Sequence, residues 1–229
     1  MHKPPGLFIA FEGIDGTGKS TQAELLKQYL ESEGHSVVKT REPGGSPGAE
    51  AIRELLVTGD RDRWDGITEL LLFSAARRNH VETVIKPALA EGKIVICDRF
   101  IGSTMAYQGS GHGLDSNAIS EATNLAVGNF RPHLTLFLTI GIEEGLLRAT
   151  TRKGKELRFE SMDIHFYRRV HDAYMEMAKL PQQLRGVGAI DTAQYTHETT
   201  DMCIERVAEE VKGYVKSLIA IHTTHRHLL

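Results

Sequence analysis

Short runs of consecutive apolar residues alternate along this chain with stretches whose apolar residues recur every three or four positions. The runs cover residues 7–11, 37–38, 94–97, 134–140 and 187–190. Unbroken apolar runs of this length predict strands buried on both faces of a parallel sheet. Between them, Leu25, Leu26, Tyr29 and Leu30 fall at helix spacing. So do Ile52, Leu55 and Leu56, then Ile119, Ala122, Leu125 and Ala126, and later Ile204, Val207, Ala208 and Val211. Strand and helix alternating over the whole length predict an open α/β sheet covered by helices on both faces. Ligands of such sheets bind beyond the carboxyl ends of the strands, so chemistry-bearing motifs should follow the apolar runs.

They do. The first run ends in Glu12, and Gly13-Ile14-Asp15-Gly16-Thr17-Gly18-Lys19-Ser20 follows, with a helix beginning near Lys19. This is G-x-x-x-x-G-K-[ST] in its strand–loop–helix context. Glycines let backbone N–H groups surround phosphate oxygens, and the helix start adds its positive end. Lys19 is the point charge for the β/γ-phosphates, and the Ser20 hydroxyl is a Mg²⁺ ligand. The third run ends in Asp98-Arg99. A carboxylate there can hold Mg²⁺ through water, and the arginine beside it can grip a second phosphate. No Asn-Lys pair occurs anywhere, which argues against a GTPase switch.

Composition narrows the classes. Of 229 residues, 41% are hydrophobic and 25% charged, with a formal net charge of −3. These values suit one globular domain, or one with an insertion, over residues 1–229 and give no sign of nucleic-acid binding. No apolar run is long enough for a membrane span or signal peptide. Cys97 and Cys203 have neither metal-ligand spacing nor a disulfide framework, which points to a reducing, cytoplasmic location. The tail, residues 222–229, carries His222, His225 and His227 and reads as a mobile terminus.

Several blocks in order make the chain resemble the bacterial-type thymidylate kinases over residues 7–192. These are Phe11-Glu12 through Thr21, Thr40-Arg41-Glu42-Pro43-Gly44-Gly45, and Leu72-Phe73-Ser74-Ala75-Ala76-Arg77. Asp98-Arg99-Phe100, Ser103-Thr104-x-Ala106-Tyr107-Gln108-Gly109 and Arg131-Pro132 complete the set. The resemblance implies a P-loop NTPase fold with a five-stranded parallel sheet, a homodimer, and the reaction dTMP + ATP → dTDP + ADP with Mg²⁺. ATP would be held by residues 13–21, namely Gly13, Ile14, Asp15, Gly16, Thr17, Gly18, Lys19, Ser20 and Thr21, with Arg148. Asp15 would face the acceptor's sugar and the Mg²⁺ shell, and Ser20 and Asp98 the metal. Arg99 and Arg53 would hold the dTMP phosphate. Phe73 would stack on thymine and Arg77 would bind its O4. Gln108, Thr104 and Ser103 would complete the pocket, and Tyr107 would press on the sugar. A related nucleoside monophosphate or deoxynucleoside kinase is the alternative.

Helical spacing agrees at one point: Phe73 and Arg77, four apart, share a face that Arg78 does not. Gln108 carries both a carbonyl and an amide, so by flipping it could suit either thymine or cytosine. Three positions depart from the family pattern: Phe100 where Tyr or His is usual, His133 where Asp is usual, and Thr139 where Asp is frequent. Finally, residues 148–169 hold seven Lys/Arg against three Asp/Glu. The phosphate loop itself has no arginine, so Arg152, Lys153 and Arg158 are candidates for a basic lid over residues 149–160 that closes on the transferring phosphoryl group.

Overall fold

The computed structural model describes residues 6–150, 162–179, 186–195 and 199–224. Five parallel strands form one sheet: β1 (Phe8–Glu12), β2 (Val37–Arg41), β3 (Ile94–Asp98), β4 (Leu134–Thr139) and β5 (Val187–Asp191), in the order β2-β3-β1-β4-β5. Each strand grows from one of the apolar runs. β1 lies at the centre, with Phe8 opposite Val95 on one side and Ile9 opposite Leu134 on the other.

Alternation along β1 builds the two core layers, because successive side chains leave opposite faces of a strand. Ile9 and Phe11 pack with Ala23, Leu26 and Leu30 of α1 (Lys19–Ser32) and with Val207, Val211 and Val215 of α9 (Thr200–Thr224). Phe8 and Ala10 face the other way. They meet Val81, Ile85 and Phe100, with Ala126 and Val127 of α6 (Ser116–Val127). A third apolar cluster joins Ile14, Tyr107 and Phe137 to Phe166, Val170 and Tyr174 of α8 (Ile164–Ala178).

The pattern overshoots in two ways. β2 is an edge strand and only half-buried, so the expectation of strands buried on both faces fails there. Leu55 and Leu125, expected on core-facing stripes, are 39% and 83% exposed.

The remaining helices are fixed by local chemistry. α2 (Pro47–Val57) starts behind Ser46, whose hydroxyl accepts the Ala49 N–H, with proline at its first position. α3 (Gly66–His80) is capped by Asp65, which accepts from the N–H groups of Ile67 and Thr68. It continues through a π-helical turn (Val81–Ile85) into α4 (Lys86–Ala90). A second wide turn (Met105–Gly111) extends the short α5 (Ile101–Thr104). Such π turns re-aim side chains and are frequent at functional sites; this one carries Tyr107 and Gln108. α7 (Ile142–Thr150) follows β4.

Candidate active site

The phosphate loop leaves β1 and enters α1. α1 has Gly18 at its N-cap, in the left-handed region with φ 89°, and no side chain caps its first N–H groups. Those donors are therefore available to a ligand's oxygens. Two glycines are there for closeness as well as conformation. A Cβ on Gly13 would lie 2.2 Å from the Leu138 carbonyl oxygen, and one on Gly16 2.2 Å from that of Gly145. The loop is thus pressed against β4 and α7. Inside it, Thr17 Oγ1 and Lys19 Nζ both donate to the Ile14 carbonyl, at 3.0 and 2.7 Å. Burial lowers the Lys19 pKa, and the nearby Arg99 charge adds to this, bringing it down to about 8.

Parallel pairing of β1 with β3 sets Phe11 opposite Asp98, so the Asp-Arg pair emerges beside the loop. The Ser20 hydroxyl donates to Asp98 Oδ2, while Asp98 Oδ1 is buried with no hydrogen-bond partner among the described residues. Arg99 adopts φ 72°, a left-handed conformation unusual for a non-glycine residue. That turn sends its guanidinium back over the loop. Nη1 donates to the Gly13 carbonyl, Ser103 Oγ and Tyr174 OH, each at 3.1 Å, and Nη2 donates to Asp15 Oδ1 at 2.6 Å and Tyr107 OH at 3.3 Å. Asp15 keeps 48% exposure at the mouth of the site. Partial burial works against its carboxylate, but Arg99 and Lys19 outweigh this and hold its pKa below the usual carboxylate range. Beneath, the buried Glu12 accepts from the Phe100 N–H, Ser103 Oγ and Tyr174 OH. Burial raises the Glu12 pKa despite those donors.

A cavity of about 510 Å³ runs from this loop to a second pole. That pole is lined by Phe73 and Arg77 from α3, Phe100, and Thr104, Tyr107 and Gln108 from α5 and its extension. Arg77 is 2% exposed. Its Nε donates to Glu42 Oε2 at 2.6 Å and its Nη2 to the Phe100 carbonyl at 3.0 Å, leaving Nη1 buried without a hydrogen-bond partner among the described residues. Glu42 Oε1 meets His80 Nδ1 at 3.1 Å, and the other face of that ring meets Thr40 Oγ1. Thr104 Oγ1 is likewise buried and unpartnered among the described residues. Gln108, which the sequence alone would let flip, meets a carboxylate. Its Nε2 donates to the buried Glu69 at 2.6 Å, and His112 Nε2 meets the same carboxylate oxygen at 3.0 Å.

The structure therefore gathers Asp15, Gly16, Gly18, Lys19, Ser20, Arg53, Phe73, Arg77, Asp98, Arg99, Ser103, Thr104, Tyr107 and Gln108 around one cavity. Arg78 points elsewhere, to the Ala126 carbonyl and Glu82. Gly13, Ile14 and Thr17 shape the loop without lining the cavity, and Thr21 borders a shallow depression beside Ser20. Arg148 pairs with Glu144 on α7 rather than lining the cavity. Arg152, Lys153 and Arg158 lie outside the described residues.

The three departures have local explanations. His133 Nδ1 accepts the Phe8 N–H at 2.8 Å, doing what a carboxylate would do there. The Phe100 ring packs edge-on against Phe8 and beneath the Arg77 guanidinium, at 5.0 and 5.3 Å. Thr139 is buried at the end of β4, where its hydroxyl donates to the Ile190 carbonyl of β5 at 3.5 Å.

Glu12, Glu42, Glu69 and Tyr174 organise this site, yet sequence reasoning did not single them out. Glu12 carried the one usable signal, a carboxylate directly following an apolar run.

Comparison with known proteins agrees with this geometry. A family model described as thymidylate kinase matches residues 11–201. The thymidylate kinase of Ruegeria pomeroyi is 51% identical over 174 residues, covering 76% of this chain and 82% of that protein. That of Geotalea uraniireducens is 43% identical over 213 residues, covering 89% and 99%. The crystal structure of thymidylate kinase from Ehrlichia chaffeensis superposes with a TM-score of 0.74 at 38% identity, covering 93% of this chain and all of that one. The phosphate loop, the Asp-Arg turn and the second pole thus lie on one continuous stretch matched by a single family, and this chain belongs to the thymidylate kinases.

Proposed function

We propose that this chain transfers the γ-phosphoryl group of ATP to dTMP, giving dTDP and ADP. The observation that carries the reading is the pairing of two poles across one cavity. One pole has the donors for a triphosphate. The other offers an unpartnered guanidinium N–H beside an aromatic ring, which suits a planar base with a carbonyl acceptor. ATP falls to the loop of residues 13–21, with Lys19 at its phosphates. The dTMP phosphate falls to Arg99 and Arg53, its sugar to Asp15 and Tyr107, and its base to Phe73, Arg77, Thr104 and Gln108. Ser103 and Tyr174 hold Arg99 in place for this.

The donor set fits Mg²⁺. Asp98 Oδ1 is a buried acceptor with no partner among the described residues, next to the Ser20 hydroxyl, and hard oxygen ligands of this kind suit that cation. Ser20 and Asp98 are the residues proposed to hold it, and bound there it would neutralise charge on the phosphates. Phosphoryl transfer is helped chiefly by positioning and positive charge. Arg99 supplies such a charge from beneath, and Arg152, Lys153 and Arg158 are proposed to supply the rest from the basic segment 149–160.

Four apolar side chains, Leu55, Ile67, Leu71 and Leu125, are exposed on α2, α3 and α6, of which α3 packs against both others. They support the proposal of a homodimer. No helix among the described residues is long and apolar enough to cross a membrane. Both cysteines are free thiols, which supports a cytoplasmic location.

The test is ADP formation with ATP and a panel of monophosphates. The expected order is dTMP, then dUMP, with dCMP nearly inert. Equal use of dCMP or dGMP would remove the thymidylate reading and leave a nucleotide kinase of another specificity.

A further inference from the structure

We propose that Glu69 is a positioning residue for base choice, acting by holding the Gln108 side-chain amide in one orientation. The inference rests on the reading of the second pole as the pocket for the thymine base. Glu69, Phe73 and Arg77 follow one another at four-residue intervals, so they form a column on one face of α3. Phe73 and Arg77 line the cavity, and Glu69 stands one turn further along, fully buried. Its Oε1 takes the Gln108 Nε2 at 2.6 Å and stands 3.0 Å from His112 Nε2. A carboxylate oxygen accepts, so the group turned toward it must be the NH₂ of Gln108 and not the carbonyl. The carbonyl oxygen, which has no partner among the described residues, is then the polar atom that Gln108 offers to the cavity.

This removes the ambivalence of an amide. A fixed carbonyl acceptor requires a donor on the ring, as thymine and uracil present at N3–H. Cytosine presents a lone pair at N3, which would face the carbonyl lone pairs. Arg77 Nη1, a fixed donor, makes the matching demand for an acceptor at position 4. The base is therefore read by two groups of opposite sense, and the sense of one of them is set by a residue that does not line the cavity.

The experiment compares kcat/KM for dTMP, dUMP and dCMP in the full-length enzyme and in Glu69→Gln, at saturating ATP. Glutamine has the same shape but can donate as well as accept, so Gln108 regains both orientations. The dTMP/dCMP ratio should fall about tenfold or more. The dTMP/dUMP ratio and the KM for ATP should stay as in the wild type, because neither depends on the sense of the amide. Equal loss on dTMP and dCMP, or a dTMP/dUMP ratio that moves as far as dTMP/dCMP, would mean that Glu69 only supports packing and would overturn the proposal. If Glu69→Gln does not fold, Gln108→Met carries the test. That variant should narrow the dTMP/dCMP ratio, and retention of the full ratio would show that Gln108 does not read the ring. Where both variants fold, adding Glu69→Gln to Gln108→Met should change the ratio no further. A wild type that already accepts dCMP as well as dTMP removes the thymidylate reading itself. A selective wild type with an unmoved Glu69→Gln ratio removes Glu69 alone.

Discussion

The two poles of the cavity are built on opposite plans. At the phosphate pole the cationic groups are already engaged, and only Asp98 Oδ1 is left without a partner among the described residues. Arg99 serves five acceptors, Asp15 is paired to it, and Lys19 donates to its own loop. At the base pole Arg77 Nη1 and Thr104 Oγ1 are buried with no hydrogen-bond partner among the described residues. An anionic group arriving at the first pole must exchange bonds that Arg99 and Lys19 already make, so much of its electrostatic gain is offset. A ligand at the second pole supplies bonds that are missing, and an unsatisfied buried polar group costs about 1–3 kcal/mol. The difference teaches where selectivity resides. A phosphate can be traded for another anion, but the base pole rewards only the edge that completes it.

The comparison breaks most readily at Asp15, which ties the two poles together through Arg99. Asp15→Ala should lower kcat/KM for dTMP by about 30- to 1000-fold, or about 2–4 kcal/mol. ATP binding should change much less. An equal loss of ATP affinity with dTMP parameters intact would assign Asp15 to the donor instead.

At the base pole, Arg77→Met should lower kcat/KM for dTMP by about 10- to 100-fold and narrow the dTMP/dCMP ratio at the same time. It also strands the Glu42 carboxylate, 3% exposed, which should cost about 3–5 kcal/mol of stability. Adding Glu42→Gln should restore part of the melting temperature and none of the selectivity. If the double variant recovers selectivity, base choice is governed by the stability of the pocket wall and not by the guanidinium.

A gentler probe of the phosphate pole is pH. Burial brings Lys19 down to about 8, so below pH 8 the free enzyme presents a charged ammonium and above it a neutral amine. ATP affinity, measured calorimetrically at constant ionic strength, should fall above pH 8 by up to about tenfold per pH unit. Lys19→Met should abolish the dependence. A flat profile to pH 9.5 would show that Lys19 keeps its proton throughout.

The smallest effect belongs to neither pole. His133 accepts the Phe8 N–H, and burial with the nearby His222 holds its pKa below the ordinary 6.5. Protonation would set an N–H against an N–H. With the folded pKa depressed, the stabilisation is present above pH 6.5 and is lost as pH falls below it. Between pH 7 and 5 the wild type should therefore lose about 1–2 °C more in melting temperature than His133→Asn, a small figure because the ring is partly solvated. Nucleotide selectivity should be the same in both. A change in selectivity would mean that the two poles are not as local as their hydrogen bonds suggest.

The five strands and the phosphate loop were legible because they obey local rules. Apolar runs mark strands buried in a parallel sheet, and a loop that cradles phosphate needs glycine, lysine and a hydroxyl at set offsets. The pairing of Phe73 with Arg77 was legible for the same reason, since a helix fixes what lies four residues away. The acidic framework was not. Glu42 finds Arg77 across 35 residues, Gln108 finds Glu69 across 39, and Tyr174 finds Glu12 across 162. On the page each of these glutamates looks like surface charge, because only the folded chain supplies the partner that allows burial. Leu125 failed in the opposite sense. Periodicity identifies the apolar residues of a helix without saying whether the same chain covers them.

The central place of β1 has a further consequence, visible on the timescale of amide hydrogen exchange. β1 is bonded on both sides and buried along its whole length, so its amide protons have no local route to solvent and exchange only when the sheet opens as a unit. The phosphate loop hangs directly from that strand. Its anchor cannot fray independently of the fold, in the way a loop carried by an edge strand such as β2 can. On heating, loss of the ATP site and loss of the sheet should therefore form a single cooperative event, and residual activity should report the folded fraction.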